Sequence, residues 1–113
     1  MSRDETTLLD IAQAARLILA FKQGMDKDSF LRALKTQSAI LHQLLIMGEA
    51  VKRLSMDFRV QRSEIPWTPI ARMRNKLIHA YDIVDFDEVW KTVDSDVPNL
   101  LFQLGPLLPK DNQ

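Results

Sequence analysis

Arg74-Asn75-Lys76-Leu77-Ile78-His79-Ala80-Tyr81 is the one stretch of this 113-residue chain where a guanidinium, an imidazole and the sole phenolic hydroxyl fall within eight residues. Arginine presents a permanently charged fork of donors that matches phosphate oxygens. Histidine is the side chain whose unperturbed pKa lies closest to neutrality. Together they suit phosphodiester chemistry or nucleotide binding. On a regular helix Arg74 and His79 stand about 140° apart, so spacing alone does not bring them to one ligand. Either the helix unwinds before His79, or the site is completed across a subunit interface. Arg72, Asn75, Lys76 and His79 share a polar face by i, i+3 and i+4 spacing. Ile70, Met73, Leu77 and Ala80 or Tyr81 face the core. Arg74 lies between the faces, nearly in line with Tyr81 two turns on. Without further context such an Arg–His pair is more often solvated or structural than catalytic, and Tyr81 is by default a half-buried aromatic with its hydroxyl outward.

The elements that must position these residues are helical. Thr68-Pro69 is a helix start, a threonine cap followed by a proline whose missing N–H costs nothing at the first position. Before it, Ile65-Pro66-Trp67 is extended, with Trp67 as an apolar plug under the turn. Upstream, Ser2-Arg3-Asp4-Glu5 fits a capping box. Leu8, Ile11, Ala12, Ala15, Ile18 and Leu19 then recur at helical spacing as far as a C-cap near Gly24. Asp26 or Asp28 caps a long second helix with two apolar stripes: Phe30, Leu34, Leu41, Leu44 or Leu45, Gly48 and Val51, and Ala33, Ile40, Met47 and Leu54. Together they are wider than one core face needs. The second side suits a partner subunit, although a central helix of a monomeric bundle has the same width. His42, inside this apolar run, reads as a core or interface histidine. Gly48 costs a helix about 1 kcal/mol against Ala, which points to close approach of another backbone. Beside it, Glu49 pairs either with Arg53 on the surface or with Arg74 if buried. Met56 to Glu64 has mixed charge and no period, as a loop or frayed helix end. Asp85-Phe86-Asp87-Glu88 is a second capping box, opening a helix with Phe86, Val89, Trp90, Val93, Val97, Leu100, Leu101 and Leu104 on one face. Pro98 kinks that helix or opens a new one after Asp96. Gly105-Pro106 ends it, Leu107 and Leu108 pack as a tail, and Lys110 to Gln113 fray.

Composition sets the outer limits. Residues 1–113 suffice for one domain with one core, and scarce glycine favours an all-α chain with short loops. There is no cysteine and there are two histidines, His42 and His79. A disulfide framework is thereby excluded, and a dedicated metal site is not expected. Formal net charge is zero. A protein that grips a long duplex is usually basic, so any nucleic-acid contact is local or shared with another subunit, and DNA is not an expected partner. With no signal peptide and no membrane-length apolar run, the expected location is the cytoplasm.

One ordered set of residues resembles a known family. It comprises Gly48-Glu49-Ala50, Ile65-Pro66-Trp67, Arg74-Asn75 with His79 and Tyr81, then Asp96-Val97-Pro98 and Leu100. It resembles the HepT-like toxin branch of the HEPN domains, whose signature places arginine, four residues, histidine, one residue and tyrosine in this order. The resemblance implies a four- to five-helix up-and-down bundle that dimerises with two Arg–His motifs facing one cleft. It also implies a metal-independent endoribonuclease without cofactor, with Arg74 and His79 catalytic and Asn75, Glu49 and Tyr81 supporting. Such toxins are paired with a nucleotidyltransferase antitoxin of the MntA type, which can adenylylate the motif tyrosine, here Tyr81. Two other readings stand beside it. One is a noncatalytic nucleotide-binding subunit, or one that docks a nucleotidyltransferase. The other is a helical dimerisation module without a ligand.

Overall fold

Ser2 opens the first helix as its capping box requires. Its hydroxyl accepts the Glu5 N–H at 3.1 Å, and the Glu5 carboxylate accepts the Ser2 N–H at 2.8 Å. The computed structural model describes residues 2–109, and every regular element among them is helical. Helix α1, Arg3–Lys22, buries Leu8, Ile11, Ala12, Ala15 and Ile18. Just beyond it Gly24 takes φ +79°, a left-handed position that glycine occupies without a Cβ penalty.

The second apolar run is not one helix. Asp26 caps a short α2, Lys27–Leu31, and the backbone leaves helical geometry at Ala33 before the long α3, Leu34–Arg53. The break turns Phe30 fully inward, where its ring meets Phe86 and Trp90 at centroid distances of 6.2 and 5.3 Å. It also leaves the Phe30 carbonyl with the tighter Ala33 N–H bond, at 3.1 Å, and room for a second donor. The buried Gln37 amide donates the second bond to that carbonyl at 2.9 Å. Leu34, expected in the core stripe, is instead 75% exposed at the first turn of α3.

Helix α3 packs between α1 and α5, Trp67–His79. Leu41, Leu44 and Val51 of one stripe and Ile40 and Met47 of the other are all buried. The width of its apolar surface is therefore used within one chain. Residues 56–64 also differ from expectation. Ser55 caps a short helix, α4, Met56–Gln61, and is itself tied to α1 by hydrogen bonds to Asp4 at 2.8 and 3.0 Å.

Thr68 does not cap α5. The helix begins two residues earlier, at Trp67, with Pro66 at the cap position. Trp67 decides this: it is buried, its indole N–H donates to the Arg62 carbonyl at 3.0 Å, and its ring meets Phe58. Pro69 still lies in the first turn, where a missing N–H costs nothing. After α5 comes a 3₁₀ turn, Tyr81–Ile83. Asp85 then caps α6, Phe86–Lys91, by accepting the Asp87 and Glu88 N–H groups. The reciprocal half of the expected capping box is replaced, because the Glu88 carboxylate pairs with Lys76 of α5. A π-helical turn, Thr92–Asp96, leads into α7, Val97–Leu104, so Pro98 sits in a first turn. A 3₁₀ turn, Gly105–Leu107, ends it, and Leu107 and Leu108 pack against the core. The expected fraying of Lys110 to Gln113 lies outside the described residues. Helix α7 packs on α1, and the π turn lies against α5. The long elements α1, α3, α5 and α6–α7 thus form a helical bundle, as expected. No helix among the described residues is long and apolar enough to cross a membrane.

Candidate active site

Gly48 lets α3 and α5 touch. A Cβ built on it would lie 2.2 Å from Arg74 Cβ and 2.8 Å from Arg74 Cγ. The close approach expected of this glycine is therefore to the root of the arginine side chain. One residue on, Glu49 reaches the guanidinium of Arg74. Its Oε2 accepts from Arg74 Nε at 3.2 Å and from Nη2 at 2.6 Å. The alternative partner, Arg53, pairs instead with Asp10 of α1 at 3.6 Å.

Arg74 Nη1 donates to Asn75 Oδ1 at 2.9 Å. Three of the five guanidinium N–H groups are thus engaged, and each terminal nitrogen keeps one for a ligand. The Asn75 amide nitrogen keeps both of its own. The Arg74 side chain is 15% exposed and that of Glu49 is 43% exposed. The arginine is packed at its base against Gly48 and held at both terminal nitrogens, with a small part of the side chain open to solvent. Hydrogen bonding from Arg74 lowers the Glu49 pKa, with partial desolvation opposing it and the charges of Arg74, Lys52 and Arg53 adding to it. Glu49 is thus ionised at neutral pH, and Arg74 is a positioned cation.

The helix does not unwind before His79. It is regular through that residue, and the Ala80 N–H still donates to the Lys76 carbonyl. His79 is exposed at the helix end, on the stripe that carries Arg72 and Asn75. Arg74 leans instead towards α3 and Glu49. Within one chain, then, Glu49, Arg74 and Asn75 form one hydrogen-bonded unit and His79 stands outside it. Tyr81 is off the helix, in the following 3₁₀ turn, and is 62% exposed. It is not a core residue. With His42, Ser38, Leu41, Leu45 and Leu77 it lines a shallow groove of about 220 Å³. His42, expected in a core or interface, is exposed in this chain. Among the described residues no three His, Asp or Glu side chains converge as a metal-ligand set.

Two residues to which the sequence assigns no part in the site stand near it. Asp96 lies in the π-helical turn, where burial raises its pKa against the charge of Lys91. Arg59 projects from α4 and lines a hollow with Thr68, Arg72 and Asn75. Its signal was present in the local charge. Residues 52–76 carry seven basic side chains against two acidic ones, a surplus of five in a neutral chain.

With this geometry in hand, the chain belongs to the ribonuclease HepT-like family, whose model matches residues 11–105. It is 48% identical to the "Probable ribonuclease HepT" of Thermococcus cleftensis, over 82% of this chain and 84% of that protein. It is 40% identical to the "Putative RNase MJ0127" of Methanocaldococcus jannaschii, over 89% and 84% of the two chains. A "Putative RNase TTE0752" of Caldanaerobacter subterraneus is 35% identical, over 89% and 90%. No solved structure matches the chain.

Proposed function

We propose that this protein is a metal-independent endoribonuclease, the toxin of a toxin–antitoxin pair, with Arg74 and His79 as its catalytic residues. The observation that carries the reading is the clamp on Arg74. A guanidinium fixed by Glu49 and Asn75, with a donor left on each terminal nitrogen, is preorganised for phosphoryl oxygens that gain charge in a transition state. Cleavage by the ribose 2′-hydroxyl requires a base to take its proton, a cation at the phosphorus oxygens and an acid at the leaving oxygen. His79 serves as acid or base, Arg74 as the cation, and Asn75 as a donor that orients the phosphate or the hydroxyl.

The site is shared between two copies of the chain. A regular helix through His79 sets it about 140° from Arg74, so one chain does not present both to one phosphate. A second copy supplies the missing imidazole and, with it, a second proton-transfer group. Ile46 on α3, Ile78 near the end of α5 and Ile83 in the following 3₁₀ turn are exposed apolar surface of the kind a partner covers. Neutralisation falls to a nucleotidyltransferase antitoxin of the MntA type that adenylylates Tyr81. The exposed hydroxyl is open to such a transfer, and the product adds a phosphodiester charge and a purine beside the cleft.

Purified protein incubated with RNA tests the core of this reading. Cleavage should persist in a chelator and fall 10²–10⁴-fold in His79→Ala with the fold intact, the usual loss for a general acid or base. Equal activity in wild type, Arg74→Ala and His79→Ala would sink it. RNA binding without cleavage would favour the noncatalytic docking subunit.

A further inference from the structure

We propose that the hollow between α4 and the first turns of α5 is a second phosphate subsite. It would hold a backbone phosphodiester of a single-stranded RNA beside the phosphate at Arg74. The inference rests on the reading that this chain acts on RNA, and it adds where the strand runs. The hollow has a volume of about 260 Å³ and is lined by Arg59, Trp67, Thr68, Ala71, Arg72 and Asn75. It has two guanidinium groups, a hydroxyl and an amide, and no carboxylate.

Arg59 is the informative residue. Its Nε is buried and has no hydrogen-bond partner. A buried donor on a charged group is costly when unmet, and natural structures seldom leave one so. Nε itself is closed to solvent, so an anion in the hollow would be met by the terminal nitrogens of Arg59 and Arg72. Three other basic side chains near the site are already paired: Arg53 with Asp10, Arg74 with Glu49 and Lys76 with Glu88. Among the described residues neither Arg59 nor Arg72 has a carboxylate within ion-pair distance. Asp96 lines the adjacent hollow on the far side of Arg72, together with Lys76, Glu88 and Lys91.

Register gives the direction. Thr68, Arg72, Asn75 and His79 follow one another at spacings of four, three and four residues, a single stripe of α5. Arg72 and His79 are about 10 Å apart along the axis at 1.5 Å per residue, a step of a nucleotide or two. Asn75 lines the hollow and also bonds Arg74, so the two phosphate positions adjoin. Neutral net charge is then no obstacle to RNA capture, because the hollow places Arg59 and Arg72 together with no carboxylate among its lining.

The test uses a short 2′-O-methyl oligoribonucleotide, which binds but cannot be cut by a 2′-hydroxyl. Affinity is measured over a salt series for wild type, Arg72→Gln, the double variant Arg59→Gln/Arg72→Gln, and Arg16→Gln on α1 as a control for lost charge. Thermal unfolding verifies each fold, and the exposed Arg72→Gln keeps the test valid if Arg59→Gln does not fold. Each lost phosphate contact should make the slope of log affinity against log salt shallower by about 0.7, with Kd rising several-fold and Arg16→Gln unchanged. Slopes equal to wild type in both variants would overturn the proposal. So would a mononucleotide that binds as tightly as the strand. Wild type that binds this probe with the expected slopes yet leaves unmodified RNA intact would defeat the nuclease reading alone.

Discussion

Arg74 is held at Nε and at both terminal nitrogens, and its neighbours leave one N–H on each of the latter. Replacing Glu49 with Gln removes the charge that holds Nε and Nη2 while leaving a similar shape. Glu49→Gln should stay folded and lose activity by about tenfold, a smaller loss than removing the proton-transfer group itself. The ion pair also has a pH signature. The folded pKa of Glu49 is depressed, so its contribution is present above the ordinary carboxylate range and is lost as pH falls through the folded value, below the unperturbed 4.5. The carboxylate is substantially exposed, so the effect is small. Thermal unfolding of wild type and Glu49→Gln should therefore differ most near neutrality and converge in acid; a gap that widened in acid would contradict the pair. Tyr81 makes a separate prediction. Tyr81→Phe keeps the ring and deletes the acceptor hydroxyl. If Tyr81 is the modified residue of a toxin, as proposed, the variant should remain folded and active and escape a nucleotidyltransferase antitoxin. Intact mass after co-expression with that enzyme should show added AMP on wild type and none on Tyr81→Phe. An unchanged mass with toxicity still suppressed would make the antitoxin a steric inhibitor.

Helices α3 and α5 meet at Gly48, and that contact sets where Arg74 starts from. Gly48→Ala brings two opposed effects. Alanine favours the helix by about 1 kcal/mol. Its Cβ, however, would lie 2.2 Å from Arg74 Cβ, an atom that no side-chain rotation moves. Overpacking of this kind typically costs about 1–3 kcal/mol. The variant should be destabilised in urea, and its cleavage activity should fall further than stability explains, because separating the helices displaces Arg74 from Glu49. A more stable Gly48→Ala with full activity would mean that the contact is readily relaxed. On α5 itself, the burial and indole hydrogen bond of Trp67 set the start, and the register from Thr68 to His79 follows from it.

Two copies of the chain are required if Arg74 and His79 act on one phosphate. Light scattering at micromolar concentration should give about twice the 13.0 kDa chain mass. A clean monomer that still cleaved RNA would mean that a single chain carries a complete site. The apolar width of α3 does not bear on this, since α1 and α5 already bury both of its stripes. Near Arg74 and His79, the exposed apolar side chains of Ile46, Ile78 and Ile83 offer surface to a partner.

Much of this protein is determined by local chemistry that a sequence displays. Helical periodicity, the Ser2 and Asp85 caps, the glycine stop at Gly24 and the core positions Ile70, Met73 and Leu77 depend on neighbours within a few residues. The ordered Gly–Glu, Arg–Asn, His and Tyr residues likewise place the chain in its family. Tertiary structure decided the rest. The break at Ala33 follows from the pull of Phe30 into a pocket made by Phe86 and Trp90, fifty or more residues away. Choice between Arg53 and Arg74 as partner of Glu49 depended on Asp10 taking the first and on Gly48 admitting the second. The hollow at Arg59 exists only because α4 is brought beside α5. These are contacts between elements distant in the chain, and side-chain spacing carries no record of them.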